Sequence, residues 1–82
     1  MIYEIIEGPI KYQVSFVKNA FDEMYVSVKK FSIIIFSNYP YTTVRNISIV
    51  NNQIDMSDSR TCALSKTVIE QINKLIKLKV LL

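Results

Sequence analysis

The chain has 82 residues, half of them hydrophobic, a net charge of +3, one cysteine and no histidine. That length accommodates one domain with a core barely sufficient for stability on its own, and the apolar content argues against disorder. Most soluble catalysis and transition-metal binding lean on His, Cys or convergent carboxylates, so the composition disfavours an enzyme and favours a module that works by binding.

Met1 to Ile6 reads as a short edge strand closed by Gly8-Pro9, because Pro9 has no N–H to give a central strand. Ile10 to Val17 alternates with period two. Ile10, Tyr12, Val14 and Phe16 point one way and Lys11, Gln13 and Ser15 the other, the pattern of a strand with one wet face. Lys18 to Glu23 is a connection of hairpin length, with Asn19 as its expected left-handed residue.

Met24, Val26 and Val28 resume the alternation, with Tyr25, Ser27 and Lys29 opposite. Phe31, Ile33 and Ile35 have the wrong parity to share that face. One extra residue at Lys29-Lys30 restores it, so the pattern predicts a single strand from Met24 to Phe36 bent by a β-bulge. The alternative is a strand buried on both sides beyond that point. Ser37 to Tyr41 is a loop marked by Asn38 and Pro40. Thr42 to Val50 is a strand with Ile47 and Ile49 inward, Asn51-Asn52 a two-residue hairpin turn, and Gln53 to Met56 a short return strand.

Ser57-Asp58-Ser59 offers helix N-caps, while Thr67 with Glu70 fits a capping box for a start at Val68. The earlier start is preferred. Leu64, Val68, Ile72, Leu75 and Ile76 follow helical spacing. Ile69, Leu78 and Val80 widen the apolar arc to roughly 200°, more than one core requires. The simplest second surface is the same helix in another copy, which assigns Ile69, Ile76 and Val80 to a homodimer interface. The expected fold class is α+β. A curved, mainly antiparallel sheet of four to five strands over about 1–56 precedes one C-terminal helix over about 60–80, packed on one face of a single domain spanning 1–82.

No constellation for chemistry emerges. Cys62, beside Ala63 and Leu64, reads as a buried small apolar residue, and it has no intrachain partner for a disulfide. Asp22-Glu23, Asp55 and Asp58 match no cation-binding loop, and a chain whose only glycine is Gly8 has no glycine-rich phosphate cradle. No catalytic residue, metal or cofactor is assigned. The first residues lack a basic region and carry Glu4 and Glu7, so no signal peptide is expected there, and a lone cysteine fits a reducing, cytoplasmic setting. The Asn46-Ile47-Ser48 acceptor triplet is then read as chance. The apolar run Ile33 to Phe36 is too short to span a bilayer, and the lysine-bearing apolar C-terminus reads as a helix docked on a sheet, so no membrane partner is assigned.

Two surfaces remain as binding candidates. Tyr39 and Tyr41, with Asn38 beside them, form a proline-stiffened loop suited to anchoring a protein partner. Lys11, Tyr25, Lys29 and Lys30 combine cations with an aromatic on the wet face of the hairpin, as a sheet binding single-stranded nucleic acid or an acidic surface would. The leading expectation is a small non-enzymatic protein-binding module, a dimeric regulator or inhibitor acting by steric occupation. Phages and other mobile elements are a setting that suits its size and its composition. The alternative is a sequence-tolerant binder of single-stranded nucleic acid.

Overall fold

The computed structural model describes residues 2–34 and 39–80, with the backbone alone for 79 and 80. Five strands run β1 (Ile2–Glu7), β2 (Ile10–Lys18), β3 (Met24–Ser32), β4 (Thr42–Val50) and β5 (Gln53–Ile54). A 3₁₀ turn (Ser59–Ala63) and one helix, α1 (Lys66–Val80), follow. The strands form one antiparallel meander in the order β1-β2-β3-β4-β5, curled so that α1 lies against its inner face. This is the expected α+β architecture. The inner face supplies Ile5, Tyr12, Val14, Val26, Val28, Val44, Ile47 and Ile54 to the core. Leu64 and α1 residues Val68, Ile72 and Ile76 close it. Apolar area removed from water on this scale is the main stabilising term for a chain this short.

The turns follow backbone chemistry. Gly8 adopts φ +56 in the two-residue turn bracketed by Glu7 and Ile10. Asn51 (φ 54) and Asn52 (φ 62) are both left-handed, so the predicted hairpin forms with the twist that suits its strands. The β2–β3 connection differs from expectation. Asn19 is not the left-handed residue; Asp22 is, at φ 62. Asn19 instead accepts the amides of Phe21 and Glu23 through its side chain, each at 2.9 Å. Its amide oxygen replaces a backbone carbonyl and closes the loop from within.

The bulge expected at Lys29-Lys30 does not form; the irregularity lies in β4 instead. Lys29 and Lys30 pair regularly with Gln13 and Tyr12. Val26 lies opposite Ile47 but Val28 opposite Val44, so Arg45 and Asn46 together face Ser27 alone. Asn46 takes the left-handed conformation this needs, at φ 57. As a result Val44 and Ile47, three residues apart, both point inward. Phe31 keeps its alternate parity and is buried on the outer face, with the Lys11 ammonium 5.0 Å from its ring. β3 ends at Ser32 and Ile33 is exposed, while Ile35 and Phe36 lie outside the described residues. β5 stops at Ile54, short of Met56.

The helix starts at neither expected position. Asp58 caps the 3₁₀ turn by accepting the Arg60 amide. Leu64 then turns extended (φ −109, ψ 139), which interrupts helix and drives its side chain into the core. Ser65 restarts the helix by accepting the Val68 amide at 3.2 Å, and its hydroxyl donates to Glu7 at 2.8 Å, tying α1 to the end of β1. Cys62 is exposed, contrary to its expected burial, because Thr61 takes the inward side of the 3₁₀ turn and donates to the Asp58 carbonyl.

Ile76 corrects the expectation of a helix flank reserved for a second copy: it is 1% exposed, in the core of its own subunit. Ile69 is half-buried against the same core. The curled sheet wraps α1 far enough to occupy much of the wide apolar arc. Leu78 remains exposed, and the Val80 side chain lies outside the description.

Candidate partner-binding surface

The antiparallel register brings the Gly8-Pro9 turn and the start of β4 to one end of the sheet. The Ile33 amide donates to the Pro9 carbonyl (2.8 Å), and the Tyr41 amide to the Lys30 carbonyl (3.0 Å). Tyr39 and Tyr41 are exposed here, at 81% and 55%; Asn38 lies outside the described residues. Ile33, Ile34 and Ile6 are also exposed at this end. Sequence reasoning missed these three. For Ile33 and Ile34 the signal was the apolar run from Ile33 to Phe36, which fills both parities, more than a strand with one buried face can use; for Ile6 there was none.

Lys30 is built into the inner side of this end. Its Nζ donates to the Ala63 carbonyl at 2.8 Å and lies 5.6 Å and 5.7 Å from the Tyr12 and Tyr41 rings. The cation thereby orients Tyr41 and joins the sheet to the 3₁₀ turn. Burial, with help from the charge of Glu7, raises the pKa of the Tyr12 hydroxyl beneath it. Because β3 alternates without a bulge, Lys30 and Lys29 point to opposite faces. The four residues expected to form one basic surface do not share it.

Lys11, Tyr25 and Lys29 do lie on the outer face. Gln13 sits across from Lys29, Ser15 from Ser27 and Val17 from Tyr25. Lys11 is 4.0 Å from Glu4, which offsets its charge. Tyr25 donates to Glu23 at 3.3 Å, and the negative charge of that carboxylate pushes the phenol pKa up. Lys29 and Arg45 flank a shallow polar depression of about 270 Å³ with Ser27, Thr43 and Asn46. The face is mixed in charge, with its tyrosine at the far end from Lys11.

A second groove, about 520 Å³, runs between the 3₁₀ turn and α1 and is lined by Met56, Cys62, Leu64 and Ile69 among others. Among the described residues no three of Cys, Asp and Glu converge as a metal site, and no helix is long and apolar enough to cross a membrane. Compared with known proteins, the chain matches no protein family, no curated protein and no solved structure.

Proposed function

We propose that this chain is a small protein-binding module whose contact surface is the sheet end around Tyr39 and Tyr41. The observation that carries this reading is the grouping of exposed Ile6, Ile33, Ile34, Tyr39 and Tyr41 at one end. Beside them stand two cations, Lys11 and Lys30, already engaged by ring faces. Large apolar side chains gathered on one surface favour a partner that removes them from water, and tyrosine gives contact area at low entropic cost. The mode of action is steric: the module covers the surface it binds. Offset and divided charges on the outer sheet face make nucleic acid the weaker reading.

The test is affinity capture from cell extract with the parent chain and with a Tyr39→Ala/Tyr41→Ala variant of unchanged circular dichroism. Proteins retained by the parent and lost by the variant are the expected result. Identical captured sets would sink the loop-anchor reading. Fluorescence anisotropy with single-stranded DNA and RNA at about 50 and about 200 mM salt runs alongside. Tight binding that collapses across this range would transfer the function to the nucleic-acid alternative.

A further inference from the structure

The two edges of the sheet are finished differently. In a two-residue hairpin the residues flanking the turn exchange both hydrogen bonds, and every second residue does so along the ladder. At the Asn51-Asn52 hairpin the flanking pair is Val50 and Gln53, which turns the Ile54 amide outward. That outward amide is taken by the Asn73 side chain of α1 at 2.9 Å. β5 is also only two residues long. Around this hairpin the edge is closed, and further along β4 Arg60 takes the Arg45 and Asn46 carbonyls.

β1 is the opposite case. It is six residues long, pairs with β2 without a register shift, and among the described residues has no strand on its other side. Glu7 and Ile10 flank its hairpin, so Tyr3, Ile5 and Glu7 turn their backbone groups to β2. Ile2, Glu4 and Ile6 turn theirs outward. Ile2-Tyr3-Glu4-Ile5-Ile6-Glu7 carries no lysine or proline, and its two charges are engaged within the subunit, Glu4 by Lys11 and Glu7 by Ser65. Ile2 and Ile6 are 62% and 65% exposed on the outer face.

We infer that β1 pairs antiparallel with β1 of a second copy, across a two-fold axis at Glu4, to make one sheet continuous through both subunits. Three features select a second copy as the occupant. First, residues paired across antiparallel strands share a face, so only even sums of residue numbers are allowed about the axis. Second, an axis at Glu4 satisfies that rule and matches every outward backbone group of Ile2, Glu4 and Ile6 with one of the other strand. Third, the strand is self-complementary about this axis. Ile2 meets the other copy's Ile6 on the outer face, and Tyr3 meets its Ile5 on the inner face. The one like-charge contact, Glu4 against Glu4, is tempered by Lys11 at 4.0 Å in each subunit. An axis at Ile5 would instead set Glu4 against Ile6 and Ile2 against Gly8, forfeiting both apolar pairs.

The groove beside this edge, about 420 Å³, lies between β1 and α1 and includes Tyr3, Ile5 and Leu75 in its lining. Ile6 is shared with the tyrosine-bearing end, whereas Ile2 and Glu4 lie away from it, so Glu4→Gln reads self-association without touching the partner surface.

Sedimentation velocity from about 1 to several hundred micromolar tests the inference, with circular dichroism to confirm that each variant is folded. The parent chain is expected to dimerise. Ile2→Lys/Ile6→Lys sets two like-charge pairs across the axis and should weaken association on the order of tenfold or more. Ile2→Lys/Ile6→Glu replaces them with two opposite-charge pairs and should recover most of that loss. Glu4→Gln removes the central repulsion and should tighten the dimer severalfold. A parent chain that stays monomeric throughout overturns the inference. So does a dimer indifferent to the two lysines, or one that the Lys/Glu exchange fails to restore.

Discussion

The Arg60 guanidinium reaches from the 3₁₀ turn to the carbonyl oxygen of Asn46, 3.3 Å away in the β4 bulge. It also donates to the Arg45 carbonyl, while Asp58 holds it through Nε and Nη2 at 3.0 and 2.6 Å. A bulge leaves carbonyls that the strand ladder does not use. Here one side chain from a later turn accepts that role and, with it, clamps β4 to the segment entering α1.

Arg60→Ala should therefore lower Tm and increase amide exchange around Arg45 and Asn46, with the rest of the sheet retained. Arg60 also draws the Asp58 carboxyl down to about 2, first through the side-chain hydrogen bond. A carboxyl lowered in the folded state stabilises above its unfolded value, near 4, and loses that contribution as pH falls through about 2. Asp58→Asn should flatten acid unfolding within this window. An unchanged profile would show that the pair does not persist in solution.

Lys29 and Lys30 should behave oppositely. Lys30→Ala removes the bond to Ala63 and two ring contacts and is expected to cost about 1–3 kcal/mol in denaturant unfolding. Lys29→Ala, exposed on the outer face, should fall within about 0.5 kcal/mol of the parent. Equal effects would contradict the regular β3 register.

The Asn51-Asn52 turn gives a conformational test. With φ positive at both residues, alanine at either position should cost on the order of 1 kcal/mol. Asn52→Gly should match or exceed the parent, because glycine adopts that region without penalty. Chemical denaturation of the three variants reads the order directly.

Ile47→Ala probes the core where the bulge delivers it. Ile47 is fully buried, and truncation to alanine is expected to cost about 2–5 kcal/mol. For a domain near the lower size limit this is a large part of the total, so a substantial unfolded fraction at 37 °C is expected. A cooperative transition close to the parent's would mean that neighbouring side chains fill the space.

Much of the scaffold was legible because local chemistry decides it. Strict alternation at Tyr12 and Val14 defined a buried face, Gly8-Pro9 ended an edge strand, and Asn51-Asn52 tolerated the positive φ of a tight hairpin. The candidate surface was legible in part. Tyr39 and Tyr41 stood out as a stiffened loop, but Ile6 joins their end of the sheet only through pairing with residues distant in the chain.

By itself, the sequence determined the succession of strands, the inward parity of β2 and of β3 as far as Val28, and the presence of one C-terminal helix. These rest on period, turn residues and apolar spacing, which act over a few neighbours. Tertiary structure alone decided which strand bulges: Phe31 finds cover on the outer face beside Lys11, so β3 needs no extra residue, while β4 takes one that brings Val44 and Ile47 to the same face. The outcome follows from a residue able to hold positive φ at Asn46 and from Arg60, fourteen positions later, able to satisfy the exposed carbonyls. The same limit applies to Ile76 and Cys62. How far a curled sheet wraps a helix, and which side of a short turn faces inward, depend on packing between segments that local pattern does not encode.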